Sequence, residues 1–305
     1  MNNRAFVETK CLFCENAEDR VLYAGRLRAS SFTAYTFSAR RDRKREHYRI
    51  VVCQKCGLVR SNPIIDQKRI NALYVQSCFI FGKEAPYTAR TYASLLKKMM
   101  KDHISGKISS LLEIGSSTGF FLEEAMAMGF HDVAGFEPSK DCYAHAREAV
   151  KCRIINSVYD PAALGGKTFD LACSFHVFDH LTDPIAALVS IKHCLNPGGY
   201  VLLVCHDVES WSAKLLGDHS PIFDVEHIYL FSRKTVRKLF ESVGFRILEV
   251  GSLANCYPLG YWMRMLPFAN RAAHRLPSFL GNIPITLNGG NLYAFGQLPR
   301  GTHAD

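Results

Sequence analysis

From Ser109 onward, apolar positions fall into short continuous blocks, separated by stretches in which they recur every three or four residues. The blocks SLLEIG, DVAGFEP, RIINSVY, FDLACSFHV, YVLLVCHD, FRILEVGSL and NLYAFGQ have the length and composition of strands buried on both faces. Helical spacing covers Phe120 to Met128, about Lys140 to Val150, Pro184 to Leu195 and about Arg233 to Val243. Strands alternating with helices predict a parallel sheet covered on both sides. Gly129, Gly198, Gly199 and Gly244 fall where the helices stop, which predicts C-terminal caps there. Upstream, TARTYASLLKKMMKDHI keeps its apolar residues on one helical face, so residues 61 to about 105 read as a helical connector. The chain has no internal repeat and no low-complexity tract.

Composition divides the chain further. Of its 305 residues 48% are hydrophobic and 21% charged, and none of its apolar runs has the length that spans a bilayer (about 18 residues or more). The start, MNNRAFVETK, lacks the apolar core of a secretory signal, so a cytoplasmic protein is expected. The net charge of +9 is uneven, for residues 1–60 hold 13 Lys/Arg against 6 Asp/Glu, including the run RRDRKRE from Arg40 to Glu46. The expected division is residues 1–62, a connector over 63–108, and an α/β domain over 109–305.

The 11 cysteines are odd in number and mostly scattered singly through apolar segments, unlike a disulfide framework. Four stand apart as two C-x-x-C pairs, Cys11 with Cys14 and Cys53 with Cys56. Two such pairs can fix one tetrahedral zinc ion, each contributing two thiolates from a tight knuckle, with Gly57 allowing the second knuckle to turn. A redox dithiol is the alternative, but it calls for a thioredoxin-like βαβ unit that the surrounding sequence does not supply.

The first strand of the α/β region ends in Glu113-Ile114-Gly115 and reaches a helix through Ser116-Ser117-Thr118-Gly119. Ligands of open α/β sheets bind beyond the carboxyl ends of strands, and glycines at this turn permit close backbone approach. The next strand ends in Phe136-Glu137-Pro138, offering a carboxylate that can accept hydrogen bonds from both hydroxyls of a ribose. A dinucleotide loop carries G-x-G-x-x-G to cradle a pyrophosphate, whereas Ser117 stands here at the middle glycine. That favours S-adenosylmethionine, which has no phosphate.

Five segments in order, LLEIGSSTGFFLEEAMAMGF, VAGFEPSKDCYAHA, FDLACSFHVFDHLTDP, LNPGGYVLLV and EHIYLFSRKTVRKLFESVGF, resemble the class I S-adenosylmethionine-dependent methyltransferases over roughly residues 85–300. The third and fourth look like signatures of the ubiquinone-methyltransferase-like branch. The resemblance implies a Rossmann-like, doubly wound seven-stranded sheet whose last strand is antiparallel. It also implies Gly115 against the methionine part of the cofactor and Glu137 on the ribose, with Glu113, Ser116, Gly119 and Pro138 among the residues expected to bind it. Ser157 and Val158 are implied near the adenine, and Phe175 with His176 beside the methionine.

Methyl transfer to oxygen, nitrogen or carbon often needs a proton removed, a task for histidine near neutral pH. His176 and His180 flank the fourth strand tip, and Glu226-His227 follows a long stretch after the fifth. DVEHIYLFS is similar to a segment of zinc-containing deoxysugar C-methyltransferases whose glutamate–histidine pair is tied to catalysis, and CQKCGLV to their zinc-ribbon-like module. Glu226, His227 and His176 are therefore the expected catalytic residues, with His180 read as structural. The insertion NCYPLGYWMRMLPFANRAAHRLPSFLGNIPI reads as a lid, a peripheral membrane contact or core packing. The expected activity is methyl transfer to a small-molecule or sugar-type acceptor. Alternatives are an RNA methyltransferase that holds RNA with the basic module, and a non-catalytic cofactor-binding scaffold.

Overall fold

The computed structural model describes residues 6–14, 18–28, 31–38, 46–80, 84–265 and 276–301. The N-terminal part contains β1 (Phe6–Val7), β2 (Asp19–Tyr23), β3 (Ile50–Cys53), β4 (Val59–Ser61) and β5 (Ile64–Ile65). The connector is two helices, α1 (Gln67–Val75) and α2 (Ala85–His103). There follow β6 (Ser110–Ile114), α3 (Phe120–Ala127), β7 (Asp132–Phe136), α4 (Lys140–Ala144), α5 (Glu148–Lys151) and β8 (Ile154–Ile155). Next come β9 (Phe169–Phe175), α6 (Pro184–His193), β10 (Leu195–His206), α7 (Trp211–Leu216), β11 (Tyr229–Leu230) and α8 (Arg233–Val243). The chain continues through β12 (Arg246–Pro258), α9 (Leu259–Met265) and β13 (Pro284–Gln297). Among the described residues no helix is long and apolar enough to cross a membrane.

The large sheet has the order β12-β13-β10-β9-β6-β7-β8, with β13 antiparallel to both neighbours. The chain winds outward from β6 to β8 and returns to the other side at β9, so the switch in direction lies between β6 and β9. Alternate residues of each central strand enter different cores. Leu111, Cys173, Leu202 and Val204 pack under α2 and α3 with Leu96, Met99, Phe121 and Leu122. Leu112, Ala172, Leu203 and Cys205 pack under α6 and α8 with Leu188, Val236, Leu239 and Phe240. In α8 the buried Val236, Leu239, Phe240 and Val243 form one stripe, each side chain contributing about 1.5–3 kcal/mol. Its ends are fixed by Ser232, whose side chain accepts from Thr235 N, and by left-handed Gly244.

The second core does not stop at residue 62. Cys14, Tyr48, Cys53 and Leu58 belong to it together with Phe178 and Phe231. A second, antiparallel sheet runs β11-β4-β3-β2, so its edge strand, Tyr229–Leu230, comes from a segment far along the chain. Arg60 of β4 is buried in this module, its guanidinium bonded to both carboxylate oxygens of Asp19.

Several local expectations are corrected. Gly198 and Gly199 do not cap a helix: α6 ends at His193, and both glycines lie inside β10, where the register with β9 shifts between Leu195 and Tyr200. The helix expected over 140–150 is two helices, because Arg147 is extended (ψ 144°) and the His145 ring bonds the Asp141 carbonyl at 2.8 Å. The strand read from RIINSVY shrinks to Ile154–Ile155. Asn156 beyond it turns its side-chain amide to the carbonyls of Glu137 (2.8 Å) and Ser139 (3.2 Å). Both ends of the late insertion are strand, since Asn255–Pro258 pairs with residues 284–287 in a ribbon that runs past the main sheet.

Candidate active site

The turn after β6 is built around its glycines. Gly115 N and Ser116 N both donate to the Phe136 carbonyl at 2.9 Å, tying the turn to the end of β7. Gly115 has φ 81°, and a Cβ there would come within 2.3 Å of Val177 Cγ2. Two independent constraints thus exclude a side chain at Gly115. Ser117 N donates to one carboxylate oxygen of Glu137 and Ser139 N to the other, each at 2.8 Å. Glu137 is only 8% exposed. Burial pushes its carboxyl up to about 7, against the two N–H donors that pull it down.

Beside it, Glu113 is fully buried, and burial together with the Glu137 charge raises its carboxyl well above the ordinary range. Glu113 Oε2 and Ser116 Oγ have no hydrogen-bond partner among the described residues. Orphaned buried polar atoms beside a glycine turn suit a polar ligand that would complete them. These residues therefore fit S-adenosylmethionine: a backbone cradle, an acid at the neighbouring strand tip, and unmatched polar groups between them.

Across the sheet's switch point, β9 and β10 end in a second cluster. His176, with φ 55°, donates its N–H to the Val204 carbonyl at 2.8 Å. Three residues on, Asp179 sits in a short 3₁₀ turn, 0% exposed, and accepts a hydrogen bond from His206 Nδ1. Burial would raise the Asp179 carboxyl, but His206, His180 and His227 hold it well below the usual carboxylate range. The rings of His176 and His206 lie 4.5 Å apart, those of His206 and His227 4.4 Å, and those of His180 and His227 5.0 Å. Tyr74 of α1 reaches His180 Nδ1 at 2.7 Å. Burial raises the Tyr74 phenol, as do the charges of Glu226, Asp179 and Asp224.

The four cysteine sulfurs lie within 4.8 Å of one another, with Cys11 Sγ 3.4 Å from Cys56 Sγ. Zinc–sulfur bonds of about 2.3 Å set sulfurs roughly 3.8 Å apart in a tetrahedron, so the set fits the ion. Cys53 is buried, which raises its thiol, yet the Cys56 and Lys55 N–H groups bring it down to about 7. Gly57, at φ 83°, closes the knuckle by donating to the Cys53 carbonyl at 2.9 Å.

The model of a protein family described as a methyltransferase domain matches residues 84–250, more than half of the chain. The chain belongs to that family. An uncharacterized methyltransferase of Schizosaccharomyces pombe is 29% identical over 44% of this chain and 51% of its own length. A tRNA U34 carboxymethyltransferase of Nautilia profundicola is 30% identical over 34% of this chain and 37% of its own. The chain thus spans about half or less of these curated relatives. Among solved structures, the plantazolicin methyltransferase BpumL, in complex with SAH and a triazolic desmethylPZN analog, shares the fold. The TM-score is 0.52, at 16% identity over 77% of this chain and 92% of that one.

Within this class I methyltransferase domain, the residues expected around the cofactor gather at one end of the sheet. Glu113, Gly115, Ser116, Gly119 and Glu137 form the turn and its acid, with Pro138 next in the chain. Ser157 and Val158 lie just beyond β8, and Val158 is 40% exposed. Phe175 stacks on Tyr92 of α2 at 4.0 Å and meets Phe121 edge-on, so its ring packs in the core. His176 and His227 both gather around Asp179, and the Glu226 charge helps raise the Tyr74 phenol, but His227 is only 2% exposed. Sequence reading missed Asp179, His206 and Tyr74. The available signal was positional: Asp179 and His206 are polar residues at the carboxyl ends of the two strands beyond the switch point. From the insertion, Tyr257 and Tyr261 pack with Ala85, Tyr87 and Phe120, and Arg264 pairs with Glu84 at 3.1 Å. Arg271 and Arg275, like Arg40 to Arg45 of the basic run, lie outside the described residues.

Proposed function

We propose that this chain transfers the methyl group of S-adenosylmethionine to an oxygen or carbon atom of a small-molecule or sugar-type acceptor. The carrying observation is the adjacency of two unlike sets of groups. The glycine turn with Glu137 and the His206–Asp179 pair meet through Val177, whose side chain blocks the Cβ position of Gly115. Bound cofactor would supply an electrophilic methyl group.

Glu137 accepts the ribose hydroxyls, and the backbone at Gly115 admits the methionine portion. His206 donates from Nδ1 to Asp179, which makes Nε2 its basic atom, suited to take a proton from an acceptor hydroxyl or an activated carbon. The Asp179 carboxylate stabilises the imidazolium as it forms. His176, its ring 4.5 Å from that of His206, orients the acceptor. His227, buried, holds the cluster together through Ile222 and Ser61, and Glu226 sets the charge beside it. On this reading residues 1–62 form a zinc-binding module, 63–108 a connector and 109–305 the catalytic domain. Cys11, Cys14, Cys53 and Cys56 hold one structural zinc ion.

The test is methyl transfer from labelled cofactor to nucleotide sugars, small phenols, quinones and tRNA. Label in a small molecule is expected. Label confined to tRNA, the nucleic acid named for the Nautilia relative, overturns the acceptor class. An absence of transfer to every class, with calorimetry showing no cofactor binding, overturns the whole reading.

A further inference from the structure

Within the histidine cluster, one carboxylate oxygen is left over. Asp179 Oδ2 receives His206 Nδ1, whereas Asp179 Oδ1, completely buried, has no hydrogen-bond partner among the described residues. His180 Nε2 lies 3.8 Å from it. One ligand atom each from Asp179, His180 and His227 lies within 4.8 Å of the others. We propose that Asp179 Oδ1, His180 and His227 bind a divalent first-row transition-metal ion, a second metal site separate from the four cysteines.

Three features of the surroundings support the site. Metal-bound imidazoles donate their other ring nitrogen to a carbonyl or another polar partner, which fixes both tautomer and ring plane. His227 Nδ1 is bonded to the Ile222 carbonyl at 2.6 Å, and His180 Nδ1 to the Tyr74 hydroxyl at 2.7 Å. Both rings thus present Nε2 as their ligand atom. The carboxylate is anchored in the same way, through its second oxygen, by His206.

The donor set selects the metal. Two imidazoles and one carboxylate suit zinc, iron(II) or manganese(II), whereas calcium and magnesium prefer all-oxygen shells. Bonds of about 2.0–2.2 Å bring ligand atoms to roughly 3 Å apart, so the triad would contract by an ångström or so around the ion. The overlapping triad of His176, Asp179 and His206 is less suited, because the Asp179–His206 contact is already filled by a proton. An ion at Asp179, His180 and His227 would join the turn after β9 to the segment leading into β11. Through Tyr74 it would also brace α1. It would hold Asp179 in place behind His206 while leaving His206 to face the acceptor.

Metal content decides the matter. The purified full chain, equilibrated with zinc and dialysed, is compared with His180→Gln, His227→Gln and Tyr74→Phe by mass spectrometry of the metal. Each histidine variant should carry one zinc equivalent fewer than wild type, and Tyr74→Phe should retain zinc about 10-fold more weakly or worse. The cysteine-bound ion remains in all of them and serves as an internal control for folding. Equal zinc content and equal retention in wild type and all three variants would overturn the proposal. If a histidine variant fails to fold, the retention of zinc by Tyr74→Phe, which removes only a hydroxyl, decides alone. Cofactor binding is measured in parallel by calorimetry, so a failure of the methyl-transfer reading appears there and not in the metal count.

Discussion

Replacing Glu137 by Gln tests the cofactor site at its most constrained residue. The two carboxylate oxygens each accept one backbone N–H, from Ser117 and from Ser139, at 2.8 Å. Glutamine offers one oxygen and one NH₂, so one of the two N–H donors faces another donor. That unmade bond costs the fold about 1–3 kcal/mol with or without ligand, whereas binding loses strength because the ribose hydroxyls exchange a charged acceptor for a neutral one. Two weakened charge-assisted bonds, about 2 kcal/mol in all, correspond to roughly 30-fold weaker binding. The apo chain should respond differently. Wild-type Glu137 is raised from 4.5 to about 7 by burial, so its ionisation destabilises the fold. That destabilisation is absent below pH 4.5, grows as pH rises to 7 and levels off above it, reaching ~3 kcal/mol. Glutamine removes it, which offsets the unmade bond, so apo stability at pH 8 should change little. Isothermal titration calorimetry with S-adenosylmethionine between pH 5.5 and 8.5 supplies the measurement. Wild-type affinity should fall as pH drops through 7, approaching tenfold per unit, while that of Glu137→Gln stays flat and weak. A dissociation constant within twofold of wild type at pH 8, or the same pH slope in both proteins, would refute the reasoning.

Three further changes probe the rest of the site. Gly115→Ala must place a Cβ 2.3 Å from Val177 Cγ2 at φ 81°, so thermal unfolding should show a loss of ~2 kcal/mol or more. Adding Val177→Ala should recover the steric part and leave the backbone part. His206→Gln removes the proposed base but not the cofactor contacts, so kcat should fall 10²–10³-fold, with cofactor affinity within threefold of wild type by calorimetry. A drop confined to KM would contradict the assignment. Cys53→Ser should lower bound zinc by one equivalent and reduce the melting temperature, because its knuckle is packed into the core shared with Phe178 and Phe231. Unchanged zinc content by metal analysis would remove the cysteine site.

The Glu113–Gly119 turn, the acid at Glu137 and the cysteine pairs were legible without coordinates, because each depends on neighbours in sequence. A strand must end, a turn must adopt positive φ, and a knuckle needs two thiols three positions apart. α8 was readable to the residue for the same reason: its apolar stripe and both of its caps are local. Gly198 and Gly199 were misread because a Pro-Gly-Gly run looks alike at a helix stop and at a strand irregularity, and only the pairing of β10 with β9 separates the two.

The histidine cluster was hidden more deeply. Asp179 and His206 are 27 positions apart, His180 and Tyr74 106, and Ser61 and His227 166. No periodicity links residues at such separations. They meet because β9 and β10 are adjacent parallel strands ending at the same edge, and because β11 joins the N-terminal sheet and carries His227 with it. Sequence by itself determined the class of fold, the glycine turn after β6 and the thiols able to hold a metal. The tertiary structure alone decided which histidines converge on one buried carboxylate, because strand order, set by long-range pairing and burial, determines which strand ends become neighbours.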